Sequence, residues 1–182
     1  DTTLDTSANN GTIDISGTVN SATTTEKALT LKSNGGSITI HNLIGGVKDI
    51  AALKINSQAA GESGAGAITL TGVGGSSSQI GITGDIEIGN NSTGSVTLNG
   101  TYYNLDGDAT ITTTNAADKI AIGDALTIKN ADHKVEFVRG GITLNDDGHN
   151  LTIDAGTGNV TLTDIGGDSS EVIDIAGGTI TA

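Results

Sequence analysis

The chain has 182 residues, 28 of them glycine, a formal net charge of −13, and no Pro, Cys, Met or Trp. With Arg139 as its only arginine it lacks the basic footprint of a nucleic-acid binder, and its acidity disfavours an anionic membrane surface. The absence of cysteine excludes a disulfide-stapled module, and no stretch approaches the roughly 18 consecutive apolar residues of a membrane-spanning helix.

Short apolar–polar–apolar triplets run the length of the chain, the period of a strand with one buried face. They begin with Ile13-Asp14-Ile15, Leu29-Thr30-Leu31, Ile38-Thr39-Ile40 and Leu53-Lys54-Ile55. Ile68-Thr69-Leu70, Ile86-Glu87-Ile88, Val96-Thr97-Leu98 and Leu126-Thr127-Ile128 follow. The last are Val135-Glu136-Phe137, Ile142-Thr143-Leu144, Leu151-Thr152-Ile153, Val160-Thr161-Leu162 and Ile173-Asp174-Ile175. Gly, Asn, Asp and Ser fill the gaps, which is turn chemistry. No segment sustains a 3.6-residue period, so helix content close to nil is expected.

The triplets recur at a longer interval. Gly36-Ser37-Ile38-Thr39-Ile40 resembles Gly66-Ala67-Ile68-Thr69-Leu70, Gly94-Ser95-Val96-Thr97-Leu98 and Gly158-Asn159-Val160-Thr161-Leu162. These opening glycines predict one domain over 1–182 with a degenerate repeat of about 30 residues, the last step counting as two periods. The aromatics are only Tyr102, Tyr103 and Phe137, so burial falls to Ile, Leu, Val and Ala in thin repeated layers. A right-handed parallel β-helix of about six coils, three short strands to each, meets these conditions. The alternative is an antiparallel β-sandwich, whose strands also recur every 8–12 residues, but which would use longer strands and aromatic anchors.

The run Gly148-His149-Asn150-Leu151-Thr152-Ile153-Asp154-Ala155-Gly156-Thr157-Gly158-Asn159-Val160-Thr161-Leu162 is similar to repeats of the filamentous-haemagglutinin-like and autotransporter-like surface proteins of bacteria. Gly94 to Tyr103, followed by Gly107-Asp108-Ala109-Thr110-Ile111, fits the same style. The resemblance covers most of the chain from about Gly35 onward and brings no catalytic residues. It implies a right-handed β-helix, secretion across a bacterial envelope, and a role in adhesion, biofilm matrix or surface filaments. Proteins of that kind are usually far longer. With Asp1 first and no Met, a mature protein or a piece of a longer one is expected.

Candidate chemistry is sparse. His41, His133 and His149 stand in no zinc-ligand spacing and read as solvated turn or strand-edge residues. Asp106-Gly107-Asp108 and Asp146-Asp147-Gly148 place carboxylates on turns, where Asp106, Asp108, Asp146 and Asp147 are candidate calcium ligands. Neither run matches an EF-hand loop, and Asp is also an ordinary turn residue. Carboxylates are plentiful, but saccharide-cleaving grooves usually add aromatic platforms, so an enzyme is not expected. Thr69/Thr71, Thr110/Thr112, Thr161/Thr163 and Thr179/Thr181 are pairs on one side of a strand, and flat Thr arrays of that kind suit ice binding. Thr is also simply a good strand former that tolerates water.

The expected function is therefore that of an extracellular structural or adhesive protein, a stiff shaft or a self-assembling filament subunit of the bacterial surface or matrix. The alternative is a carbohydrate- or ice-binding module on the same scaffold. Expected partners are further copies joined end to end and cell-surface or matrix polysaccharide, with no nucleic acid and no membrane insertion. Thr2-Thr3-Leu4-Asp5 is short and polar with no capping helix, and Gly178-Thr179-Ile180-Thr181-Ala182 reads as a bare strand, which motivates end-to-end association.

Overall fold

The structure is a computed structural model that describes residues 1–22, 25–57, 65–90, 93–114, 120–138, 142–144, 149–163, 165–166 and 173–181. In chain order its strands are β1 (Thr2–Asp5), β2 (Ile13–Ile15), β3 (Leu29–Lys32), β4 (Ile38–Ile40), β5 (Leu53–Ile55) and β6 (Ile68–Leu70). Then come β7 (Ile86–Ile88), β8 (Val96–Leu98), β9 (Tyr102–Leu105), β10 (Ala109–Thr112), β11 (Ile120–Ile122), β12 (Leu126–Asn130) and β13 (Val135–Val138). The last are β14 (Ile142–Leu144), β15 (Leu151–Asp154), β16 (Val160–Leu162), β17 (Ile165–Gly166), β18 (Ile173–Ala176) and β19 (Ile180–Thr181). Among the described residues the only helical turn is a 3-10 turn over Ser7–Asn9.

All pairings between these strands are parallel, and each strand pairs with its counterparts one coil away. Sheet 1 has the order β1-β3-β5-β7-β10-β13-β16-β19, sheet 2 the order β17-β14-β11-β8-β6-β4-β2, and sheet 3 the order β18-β15-β12-β9. This is a right-handed parallel β-helix. The seven strands of sheet 2 span six turns of the solenoid. At the usual strand separation of about 4.8 Å the eight strands of sheet 1 make a rod on the order of 35 Å long.

The triplet pattern becomes ladders of like side chains. Leu31, Ile55, Ile88, Ile111, Phe137 and Leu162 stack in one inward column of sheet 1. Ile38, Ile68, Val96, Ile120 and Ile142 do so in sheet 2, all of them fully buried. Burying one such side chain is worth about 1.5–3 kcal/mol, so the stacked aliphatics supply the core without aromatic anchors. At the corner after sheet 1, Asn56 (φ 46°) and Gly89 (φ 76°) hold equivalent left-handed positions, which Asn tolerates and Gly accepts freely.

Two details of the repeat are corrected by this register. Strands of sheet 2 begin at residues 13, 38, 68, 96, 120, 142 and 165, so steps of 25, 30 and 28 residues give way to 24, 22 and 23. The 30-residue period describes only part of the early half. The Gly158 motif, aligned above with those at Gly36, Gly66 and Gly94, belongs to a different face: Val160–Leu162 lies in sheet 1, whereas β4, β6 and β8 lie in sheet 2. An apolar–Thr–apolar triplet suits any face of a solenoid, so local likeness does not fix which face it joins.

The steps shorten because the third face changes. In the early coils it consists of single bridges that run Val19–Ile44–Val73–Tyr103 and Ile50–Ile82–Leu105. Residues 45–49 and 74–81 are excursions between the two bridge positions. From β9 on, one residue, Asn104, separates Tyr103 from Leu105, and the face becomes the continuous sheet 3.

Candidate functional site

The outer face of sheet 1 carries the densest charge among the described residues. Its central column reads Thr30, Lys54, Glu87, Thr110, Glu136 and Thr161. Lys54 Nζ meets Glu87 Oε1 at 2.8 Å across one coil, and Lys134 Nζ meets Glu136 Oε2 at 3.1 Å. The hydrogen bond that the Lys134 ammonium donates to the Glu136 carboxylate holds it above its usual range. Beside this column lies an open trough of about 360 Å³ whose lining includes Asp85, Glu87, Asp108, Thr110, Thr112 and Lys134.

The residue immediately before each sheet 1 strand forms a second column. Asp1 Oδ1 accepts the N–H of Ala28 at 3.1 Å, Asp85 Oδ1 that of Asp108 at 3.0 Å, and Asp108 Oδ1 that of Lys134 at 3.3 Å. Asn159 Oδ1 accepts the N–H of Thr179 at 3.1 Å. Each side chain thus binds the backbone of the coil that follows it. Elsewhere Asn10, Asn20 and Asp132 do the same for Gly35, for Val47 and Lys48, and for Thr157. A carboxylate that accepts from backbone N–H groups is a strong, charge-assisted staple between coils.

Of the candidate calcium ligands, Asp106 and Asp108 sit together in the turn between β9 and β10, while Asp146 and Asp147 lie outside the described residues. The neighbour that sequence spacing did not disclose is His133, one coil on: its Nε2 lies 3.6 Å from Asp106 Oδ1 and its Nδ1 3.9 Å from Asp108 Oδ1. Among the described residues no group of three or more His, Cys, Asp or Glu has the geometry of a metal site. Similarly, His41 Nε2 lies 3.1 Å from Asp14 Oδ1 of the preceding coil. The signal for the stapling column was present in the sequence, as an Asp or Asn directly before a triplet at Asp85, Asp108 and Asn159.

The Thr-x-Thr pairs do not share one face. Thr69 stands in a column of sheet 2 with Asp14, Thr39 and Thr97, whereas Thr110, Thr161 and Thr181 belong to the outer face of sheet 1. The Thr71 hydroxyl donates to the Ile40 carbonyl at 2.9 Å and that of Thr163 to the Phe137 carbonyl at 2.7 Å, so two members bind the coil below. Among known proteins, no family model, no curated protein and no solved structure matches the chain.

Proposed function

We propose that this chain is an extracellular structural or adhesive protein whose rod is its function, a stiff shaft or filament subunit of the bacterial surface or matrix. The observation that carries this reading is the use made of the acidic side chains. Asp1, Asp85, Asp108 and Asp132 bind the backbone of a neighbouring coil, which stiffens a solenoid along its axis. The similarity of residues 148–162 to repeats of bacterial surface proteins supports the same direction. For filaments, the outer edges of β1 and β19 present backbone groups to a second copy, and Leu4 and Ile180 beside them are exposed.

Two measurements test this reading. Protease shaving of intact cells of the source organism should release the chain, and recovery only from the cytoplasm would overturn the surface role. Sedimentation and electron microscopy at rising protein concentration, with and without calcium, should show rods that join into fibres. A strictly monomeric species under all those conditions would remove the filament and leave the shaft.

A further inference from the structure

The excursion at residues 74–81 folds back over the outer face of sheet 3 and leaves a crevice of about 160 Å³. Its lining includes Ser77, Ser78 and Ile80 of the excursion and Asn104, Lys129 and Ala131 of the two coils beside it. Asn104 is 3% exposed, and its amide nitrogen is fully used, donating to the carbonyls of Ser76 and of Gln79, the latter at 3.1 Å. Its Oδ1 is buried and has no donor among the described residues. A buried acceptor left in that state calls for a partner. Lys129, on the adjacent coil, is exposed and forms no ion pair among the described residues. Its in-register neighbour Asp154 accepts instead from the Gly156 N–H at 3.2 Å. Ile80 keeps 38% of its surface exposed at the mouth of the crevice.

These groups ask for a ligand with one donor, one acceptor and a small apolar end. We propose that the crevice binds the acetamido group of an N-acetylated hexosamine. The amide N–H donates to Asn104 Oδ1, the carbonyl accepts from the Lys129 ammonium, and the methyl packs against Ile80 and the exposed Ala131. The hydroxyls of Ser77 and Ser78 at the rim face the sugar ring, which favours a saccharide over a peptide amide. A neutral ligand also avoids the repulsion that a net charge of −13 imposes on acidic polysaccharides. Asn104 Oδ1 is sealed beneath the excursion, so entry requires the exposed Ser77–Ser78 tip to move outward. This inference rests on the adhesive reading above and gives it a ligand class.

The test is an NMR titration of the full chain with the trisaccharide of N-acetylglucosamine, alongside the deacetylated trisaccharide, a glucose trisaccharide and N-acetylalanine methylamide. The expected result is shifts concentrated at Ile80, Ala131 and the Asn104 side-chain amide. The acetylated sugar should bind at least about tenfold more tightly than the other three, because a site built for an amide rejects analogues that leave its polar groups unpaired. Lys129→Met and Ile80→Ser, at exposed positions, should each weaken binding about tenfold with the amide spectrum otherwise unchanged. No binding, equal binding of the deacetylated sugar, preference for the methylamide, or indifference to both substitutions would overturn the proposal. The shaft reading stands or falls separately, on cell-surface exposure and on the rods seen by microscopy.

Discussion

The two halves of the third face solve one problem in different ways. From Tyr102 onward, β9, β12, β15 and β18 pair along four residues at each step, and Leu126, Ile128, Leu151 and Ile153 close the core from that side. In the coils before it, Ile44, Ile50, Val73 and Ile82 reach the same inward positions through single bridges, with five or eight residues looped out between them. All four are as deeply buried as the sheet 3 residues. A solenoid core therefore requires two apolar side chains at the right height on each face, and the chain between them is free to leave. The excursions are where this molecule gains a crevice and surface variety, while the continuous strands give it regularity.

The sharpest break in the comparison is a charge placed in the continuous half. Ile153→Asp puts an unpaired carboxylate into a fully buried ladder and should destabilise by about 3–5 kcal/mol, enough to unfold or aggregate the protein. Thr152→Asp, one residue away and facing outward, should leave the denaturant midpoint nearly unchanged. Comparable damage from both would mean that inward and outward faces have been confused.

In the early half the weak points are backbone contacts. Gly45 opens the first excursion with φ 66°, and a Cβ there would come within 2.0 Å of the Gly81 carbonyl oxygen one coil on. Gly45→Ala should cost about 1–3 kcal/mol, read as a lowered midpoint in urea. An unchanged midpoint would show that the excursions do not stack as described.

Tyr103 is the junction of the two regimes, bridged to Val73 on one side and paired with Ile128 on the other. Its hydroxyl is buried with no partner among the described residues, and burial, with a smaller contribution from Asp124, pushes the phenol well above its ordinary value near 10. Tyr103→Phe removes the unpaired group and should stabilise by about 1 kcal/mol. The pH dependence has a definite sign. Below pH 10 the phenol is neutral in both states, whereas above it the unfolded chain ionises first, so stability falls as pH rises. That alkaline loss should shrink in the Phe variant, and an unchanged profile would place the phenol in contact with water.

The stapling column shows how far the candidate site could be read beforehand. Asp108 reads in the sequence as a candidate calcium ligand on a turn, but its partners Asp85 and Lys134 lie 23 and 26 residues away and become neighbours only when coils stack. His133 reads as a solvated turn or strand-edge residue because no ligand spacing surrounds it in the sequence. Coiling brings it beside Asp106 and Asp108.

While β9 and β11 were not legible in it, the sequence by itself determined the all-β class, the alternation of inward and outward residues in the triplets, and the aliphatic core. These depend on a two-residue period and on turn chemistry, both of which act within a few residues. Only the tertiary structure decided which face each triplet joins, where the third face is bridged or continuous, and which carboxylates meet across coils. Those depend on coil length: Val160 joins sheet 1 and not sheet 2 because shorter turns precede it, and no local pattern records the sum of the turns that came before.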